Sequence, residues 1–189
     1  MVDSASKPDD RGLAKLARGS RADREAALHA LHERFKDEVF GFLSRLLRDE
    51  TLAEDALQET FLNLYASFDR FEPGQPFRPW VFKIARNAAL MSLRKRKKDE
   101  RLETRAARPD AVPGDPSGEV VATEARARVR EALERLPDET RALLLQRHVL
   151  AMKLTDLAQS FSCTERTVRN RLHDAASAFA GTLLERRTP

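Results

Sequence analysis

Two sets of side chains sit at spacings suited to nucleic acid. Lys83, Arg86, Asn87, Leu90, Arg94 and Lys97 recur at helical intervals and share one side of a helix. Cations in that row suit a phosphate backbone. Phe71, Phe77, Trp80 and Phe82 form the densest aromatic cluster in the chain, just ahead of the stripe. Aromatic rings beside a basic stripe suit unstacked bases, because every base offers a flat face. Phe77 and Arg78 read as loop residues with a binding role, whereas Trp80 and Phe82 fit core and binding equally. The second set is Arg166, Arg169, Asn170 and His173 on one face of the last helix. Arg pairs bidentately with guanine and Asn with adenine in the major groove. Either can instead hold phosphate, which positions without specifying.

A third set has the opposite sign. The stretch AEDALQETFLNLY (residues 53–65) is acidic and amide-bearing, in a chain whose formal net charge is +4 and whose pI is about 9.5. Glu54 and Asp55 also suit the positive N-terminal end of a helix, but that reason explains Gln58 poorly. No paired carboxylates in a plausible cleft, metal-ligand spacing or phosphate-binding glycine loop is evident, and the four histidines are scattered. The reading is therefore a binding protein and not an enzyme, with no cofactor and no metal. The one cysteine, Cys163, reads as a small filler in a turn and fits a reducing cytoplasm. No signal peptide and no membrane span is expected.

The elements that must position these residues are helices. Hydrophobic residues make up 41 % and charged residues 34 % of the 189-residue chain, and Ala, Leu, Arg and Glu dominate. A short helix is expected over 10–18. A long one follows over about 20–47, from the spacing of Leu28, Leu31, Phe35, Val39, Phe42, Leu43 and Leu46. Thr51 and Glu54 predict a capping box that opens a helix to about Phe68. Residues 69–79 carry three prolines and a glycine and read as a loop, with Pro79 in the first turn of the next helix. That helix ends in Arg94-Lys95-Arg96-Lys97-Lys98. Residues 99–119 read as a flexible linker rich in Pro, Gly and Asp. Helices are then expected over 119–136, 138–150, 154–160 and from Thr164, the expected N-cap, to about Glu185. The short helix, the turn 161–164 and the long last helix make a helix-turn-helix, with Val168, Leu172, Ala175, Ala176, Phe179 and Leu183 facing its core. The fold class is all-α: two small helical domains joined by a linker.

AEDALQETFLNLY, then FRPWVFKIARNAALMSLRKRK, then LERLPDETRALLLQRHVL and LAQSFSCTERTVRNRLHDA, resemble bacterial sigma factors of the extracytoplasmic-function type. The first two blocks are similar to region 2 of that family and the third to region 4. The resemblance spans most of 12–185. It implies a region 2-like domain over 10–98, a linker over 99–119 and a region 4-like domain over 120–186. It implies that Asp55, Gln58 and Glu59 dock on the coiled coil of the polymerase β′ subunit, while Phe61, Leu62 and Leu64 help set the helix in its bundle. It implies that the loop 71–78 captures a flipped base of the minus-ten element, with Asn87 near that pocket and Arg86 and Arg94 on the backbone; Trp80 and Lys83 complete the expected DNA-binding set. Arg166, Arg169, Asn170 and His173 then read the minus-thirty-five element, and the helices around 138–150 and 172–185 suit the β flap.

The implied partners are core RNA polymerase and promoter DNA. An anti-sigma factor that clamps the two domains together is a further implied partner. Three positions depart from the family pattern: Met91 where an Asp is frequent, Ser162 where the turn often holds Gly, and Asp174 where a basic residue is frequent. The competing reading is a helix-turn-helix regulator that does not associate with core polymerase. Such a chain should carry a sensor or dimerisation domain in its N-terminal half.

Overall fold

The computed structural model describes residues 10–72, 74–103 and 128–184. The element order is α1 (Asp10–Ala17), α2 (Arg21–Leu47), α3 (Glu50–Ala66), a 3-10 turn (Phe68–Arg70) and α4 (Phe77–Glu103). Then follow α5 (128–134 as described), α6 (Asp138–Leu144), a π-helical turn (Leu145–Val149), α7 (Leu154–Ser160) and α8 (Glu165–Leu184). No strand occurs among the described residues. The chain is an all-α protein of two helical domains.

In the N-terminal domain α2 packs against α1, α3 and α4, and α3 packs against α4. The α2 stripe buries Leu31, Phe35, Val39, Phe42, Leu43, Leu46 and Leu47. Phe42 meets Phe82 of α4 edge to face, with ring centroids 5.7 Å apart. Each fully buried Phe or Leu contributes about 1.5–3 kcal/mol by leaving water.

Helix ends follow local chemistry. Ser20 caps α2 in a box with Asp23: the Ser20 hydroxyl accepts from the Asp23 N–H at 3.2 Å, and the Asp23 carboxylate accepts from the Ser20 N–H at 2.9 Å. The α3 start departs from the expected one. Asp49, not Thr51, is the N-cap, and its carboxylate accepts from the Leu52 N–H at 3.0 Å. An ionised carboxylate is the stronger acceptor for the free N–H groups of a first turn, and it also meets the positive end of the helix dipole. Leu62 departs as well. Phe61 and Leu64 are buried, but Leu62 is 58 % exposed, because it follows the outward residues Asp55, Gln58 and Glu59 round the helix.

The aromatic stretch is folded inward. Phe77 opens α4 instead of lying in a loop and is fully buried, stacked on Phe71 at 3.9 Å. Trp80, partly buried, closes the cluster against Phe68, Phe71 and Phe77. Asp10 of α1 ties it down by accepting from the Phe77 N–H at 3.0 Å. Pro79 sits within the first turn of α4, where an N–H has no helical partner to lose. At its other end α4 continues to Glu103, so 99–103 are helical and not linker. Of the remaining linker expectation, 104–119 lie outside the described residues, as do 119–127 of the next expected helix.

The C-terminal domain is the expected helix-turn-helix. Thr164 caps α8, its hydroxyl accepting from the Thr167 N–H at 3.2 Å. Ser162, where glycine is frequent, is left-handed, with φ +51°. Cys163 is partly buried and packs against the core. The expected 138–150 helix is interrupted: its last turn is π-helical, with the Leu150 N–H bonded back to the Leu145 carbonyl at 3.1 Å. Of the expected α8 core face, Val168 and Ala175 are buried, Leu172, Phe179 and Leu183 are partly buried, and Ala176 is exposed.

The candidate polymerase and DNA faces

The outward face of α3 carries Glu54, Asp55, Gln58, Glu59, Leu62 and Asn63, all exposed. They share a face because they repeat every three to four residues, while Ala53, Ala56, Thr60, Phe61 and Leu64 turn inward. Glu59 accepts from the Asn63 side chain at 2.7 Å, one turn along. This acidic, amide-bearing surface has an apolar side chain at its edge. It is formed by a regular helix and requires no rearrangement to meet a basic protein surface.

The recognition-helix residues are placed similarly. Arg166, Arg169, Asn170 and His173 are all exposed on α8. Arg169 is held loosely by Glu165 one turn earlier, at 3.3 Å. Asp174 is exposed beside them. The face can present cations and an amide to a groove, and α7 with the turn 161–164 sets its angle.

The α4 stripe behaves differently, because the C-terminal domain lies on it. Helix α7 packs along α4, and one continuous apolar core includes residues of both domains. Asn87 and Arg94 are exposed and Lys83 is partly buried, but Arg86 is only 7 % exposed, and Leu90 is buried with it. The Arg86 guanidinium donates to the Ser160 carbonyl at 3.0 Å and to the Asn87 side-chain oxygen at 3.2 Å, and lies 4.1 Å from the centre of the Phe161 ring. Its Nε is buried without a hydrogen-bond partner. Burial lowers its pKa, with Glu139 acting in the opposite direction. The expected backbone contact of Arg86 is therefore not available in this arrangement. Lys97, expected in the same stripe, is exposed but paired with Asp138 at 2.6 Å.

Arg78 is likewise engaged. It is partly buried, binds the Glu38 carboxylate of α2, and donates to the Leu150 carbonyl at 2.6 Å. Phe77 is core, and Phe82, left open between core and binding, is buried against Phe42. Met91, where the family pattern has a carboxylate, is 67 % exposed between Asn87 and Arg94. Of the residues expected on α4 to face DNA, Asn87 and Arg94 are the exposed ones besides the paired Lys97.

Gln146 was not anticipated. It is fully buried, and the π-helical turn points it at α4. Its Nε2 donates to the Phe82 carbonyl at 3.3 Å, and its Oε1 accepts from the Ser160 hydroxyl at 2.8 Å. The one signal in the sequence is a lone amide in the apolar run Leu143-Leu144-Leu145-Gln146. A buried polar side chain needs partners, so that amide marked a contact still to be found.

No helix among the described residues is long and apolar enough to cross a membrane. Residues 31–99 match the family model for Sigma-70 region 2, and residues 126–178 match that for Sigma-70, region 4. The chain is 31 % identical over 178 residues to the ECF RNA polymerase sigma factor SigL of Mycobacterium tuberculosis, covering 88 % of this chain and 94 % of SigL. It is 36 % identical over 129 residues to the RNA polymerase sigma factor CarQ of Myxococcus xanthus, covering 67 % and 72 %. Among solved structures, CnrH in complex with the cytosolic domain of CnrY has a similar fold. Its TM-score is 0.63 at 23 % identity, over 95 % of this chain and 99 % of that one. The sigma factor RpoE with the anti-sigma factor NepR from Bartonella quintana gives a TM-score of 0.62 at 23 % identity, over 80 % and 93 %. Both sigma regions occur here in family order, and the match to SigL runs through nearly its whole length, so the chain belongs to the sigma-70 family, in its extracytoplasmic-function branch.

Proposed function

We propose that this chain binds core RNA polymerase through the α3 face and selects promoters through α8 and the α4 region. A sigma factor directs promoter-specific transcription initiation, and here no step of that role needs a reaction catalysed by the chain itself. Asp55, Gln58 and Glu59 meet the β′ coiled coil. Arg166, Arg169, Asn170 and His173 meet the minus-thirty-five element. Asn87, Arg94, Lys83, Arg86, Arg78, Trp80 and Phe77 belong to the minus-ten end, with Phe77 and Trp80 acting by holding the aromatic cluster that shapes it. The helices around 138–150 and 172–185 remain the surface for the β flap. The docking unit is 10–98 extended to the end of α4, and the promoter-reading unit is 120–186. The chain works in the cytoplasm, where polymerase is, and an anti-sigma factor is a further partner.

The observation that supports this reading best is the pairing of two unlike exposed helical faces, acidic on α3 and basic on α8. A regulator that binds DNA alone has no use for the first. The test is transcription with purified core polymerase on a promoter library, using the chain and its Asp55→Ala, Gln58→Ala, Glu59→Ala variant. The expected result is initiation from a restricted promoter set, and a loss of polymerase affinity of roughly thirtyfold or more in the variant. A chain that binds duplex DNA but never joins core polymerase would be a regulator instead.

A further inference from the structure

Between Val81 and Leu93 nearly all of α4 is covered. Asn87 and Met91 are exposed there, and every other residue of that span is buried or partly buried. Just beyond it Arg94 and Lys95 are exposed again. Positions 87, 91 and 94 follow at steps of four and three, so their side chains form one row along the helix. Along the axis Met91 stands about 6 Å from Asn87 and about 4.5 Å from Arg94. A nucleic-acid strand laid on this part of α4 therefore meets a narrow window: an amide, a thioether and then a pair of cations.

Met91 is the unexplained member of that row. A single exposed apolar side chain is ordinary on a protein surface. Met91 is set apart by its place and its degree of exposure. At 67 % it is the most exposed large apolar side chain among the described residues, and it lies between a group suited to base edges and a group suited to phosphate. Arg94 and Lys95 can hold phosphate, and the Asn87 amide can bond a base edge. A thioether is a weak acceptor and no donor, so it adds little to either kind of contact. What it offers is apolar, polarizable surface on an unbranched chain that adapts to its partner. Among the four bases of DNA, thymine presents an apolar group at its edge, the 5-methyl.

We propose that Met91 is a specificity-determining residue: its thioether packs on the 5-methyl group of a thymine in the strand that lies along the Asn87–Met91–Arg94 row. This rests on the reading of α4 as DNA-facing. The neighbouring cations position the strand and Met91 selects the base, so the row divides the two tasks among its members. The contact requires no movement of the C-terminal domain, because Asn87, Met91 and Arg94 stand outside the part of α4 that α7 covers, unlike Arg86 and Leu90.

The experiment compares two single-stranded probes of equal length, oligothymidylate and oligodeoxyuridylate, which differ only in the 5-methyl group. Affinities are measured by fluorescence anisotropy at one fixed salt concentration, for the full chain alone and for its complex with core polymerase. The unsubstituted chain should prefer the thymine probe by about fourfold, the worth of one methyl group leaving water. Met91→Ala should abolish the preference by losing affinity for the thymine probe while keeping that for the uracil probe within about twofold. Met91→Leu, which keeps an apolar side chain of similar volume, should retain most of the preference. All three proteins should fold alike, because the site is exposed, and circular dichroism checks this.

Equal affinity of the unsubstituted chain for the two probes overturns the proposal, as does a preference that Met91→Ala keeps. Equal losses on both probes in Met91→Ala would make the side chain a sequence-blind contact and overturn the selection of thymine. A loss of polymerase affinity in Met91→Ala, with the preference intact, would make Met91 a protein contact instead. If the chain initiates transcription with core polymerase but shows no preference, the functional reading survives and the role of Met91 fails. If the preference is present and depends on Met91 but the chain never joins polymerase, the contact stands and the functional reading fails.

Discussion

The outer faces of α3 and α4 are neighbours in sequence, both helical and both charged. They meet different fates. Asp55, Gln58 and Glu59 stand free in solvent, while Arg86 and Leu90 lie beneath α7. The difference lies in what else can sit against each face. An acidic surface with one apolar side chain at its edge offers a neighbouring domain little to bury. The α4 face interleaves Leu90 with its cations, so the apolar underside of α7 and Phe161 can settle on it. A helix face thus becomes an intramolecular seat when apolar residues run through it, and stays available to other molecules when they do not.

The sharpest contrast is in stability. Phe82→Ala should cost about 3–5 kcal/mol in chemical denaturation, because the ring is fully buried against Phe42. Gln58→Ala on the free α3 face should change stability by less than about 0.5 kcal/mol. A large effect at Gln58 would mean that the α3 face is not free, and the comparison would break.

The covering domain can be tightened at its turn. Ser162 is held left-handed at φ +51°, which costs a non-glycine residue roughly 1–2 kcal/mol. Ser162→Gly should therefore raise Tm by a few degrees, as a gain of about 1 kcal/mol does in a chain of this size, if the domains unfold together. A decrease in Tm would show that the Ser162 side chain makes a contribution the backbone argument omits.

The smallest effect lies far from both faces. Hydrogen bonds from the Ser20 side chain and backbone hold the Asp23 carboxyl below the usual aspartate range. A folded-state value below the unfolded one means that the stabilisation is present above the unfolded value and lost as pH falls through the folded one. Asp23→Asn should lower Tm slightly at neutral pH, and the difference should shrink as pH falls through the lowered folded-state value of Asp23. Polymerase and DNA binding should be untouched; a change in either would link the start of α2 to the binding faces.

Much of the molecule is legible in its sequence. The α2 stripe from Leu31 to Leu46 was explicit in its period, and so were the turn 161–164 and the Thr164 cap. The start of α3 was not. Asp49 and Thr51 are both acceptable caps; the stronger carboxylate acceptor takes the Leu52 N–H, just after the left-handed Arg48 at φ +57°. The prolines around Phe77 and Arg78 mark a turn, yet both residues belong to α4. Pro79, however, tolerates a helix that has already begun. The inward fold of Phe77 depends on Phe71 and on Asp10, which is 67 residues away.

By itself the sequence determined most of the helices and the signs of their faces, which follow from period, capping and composition, local properties of a chain; the order of the two sigma regions follows from the resemblance of its motif blocks to the family. The tertiary structure alone decided that Arg86 is covered, that Gln146 bridges two domains and that Leu62 stands out in water. Periodicity states which residues share a face and not what comes to lie on it. That is settled by long-range packing and by the need of each buried polar group for a partner.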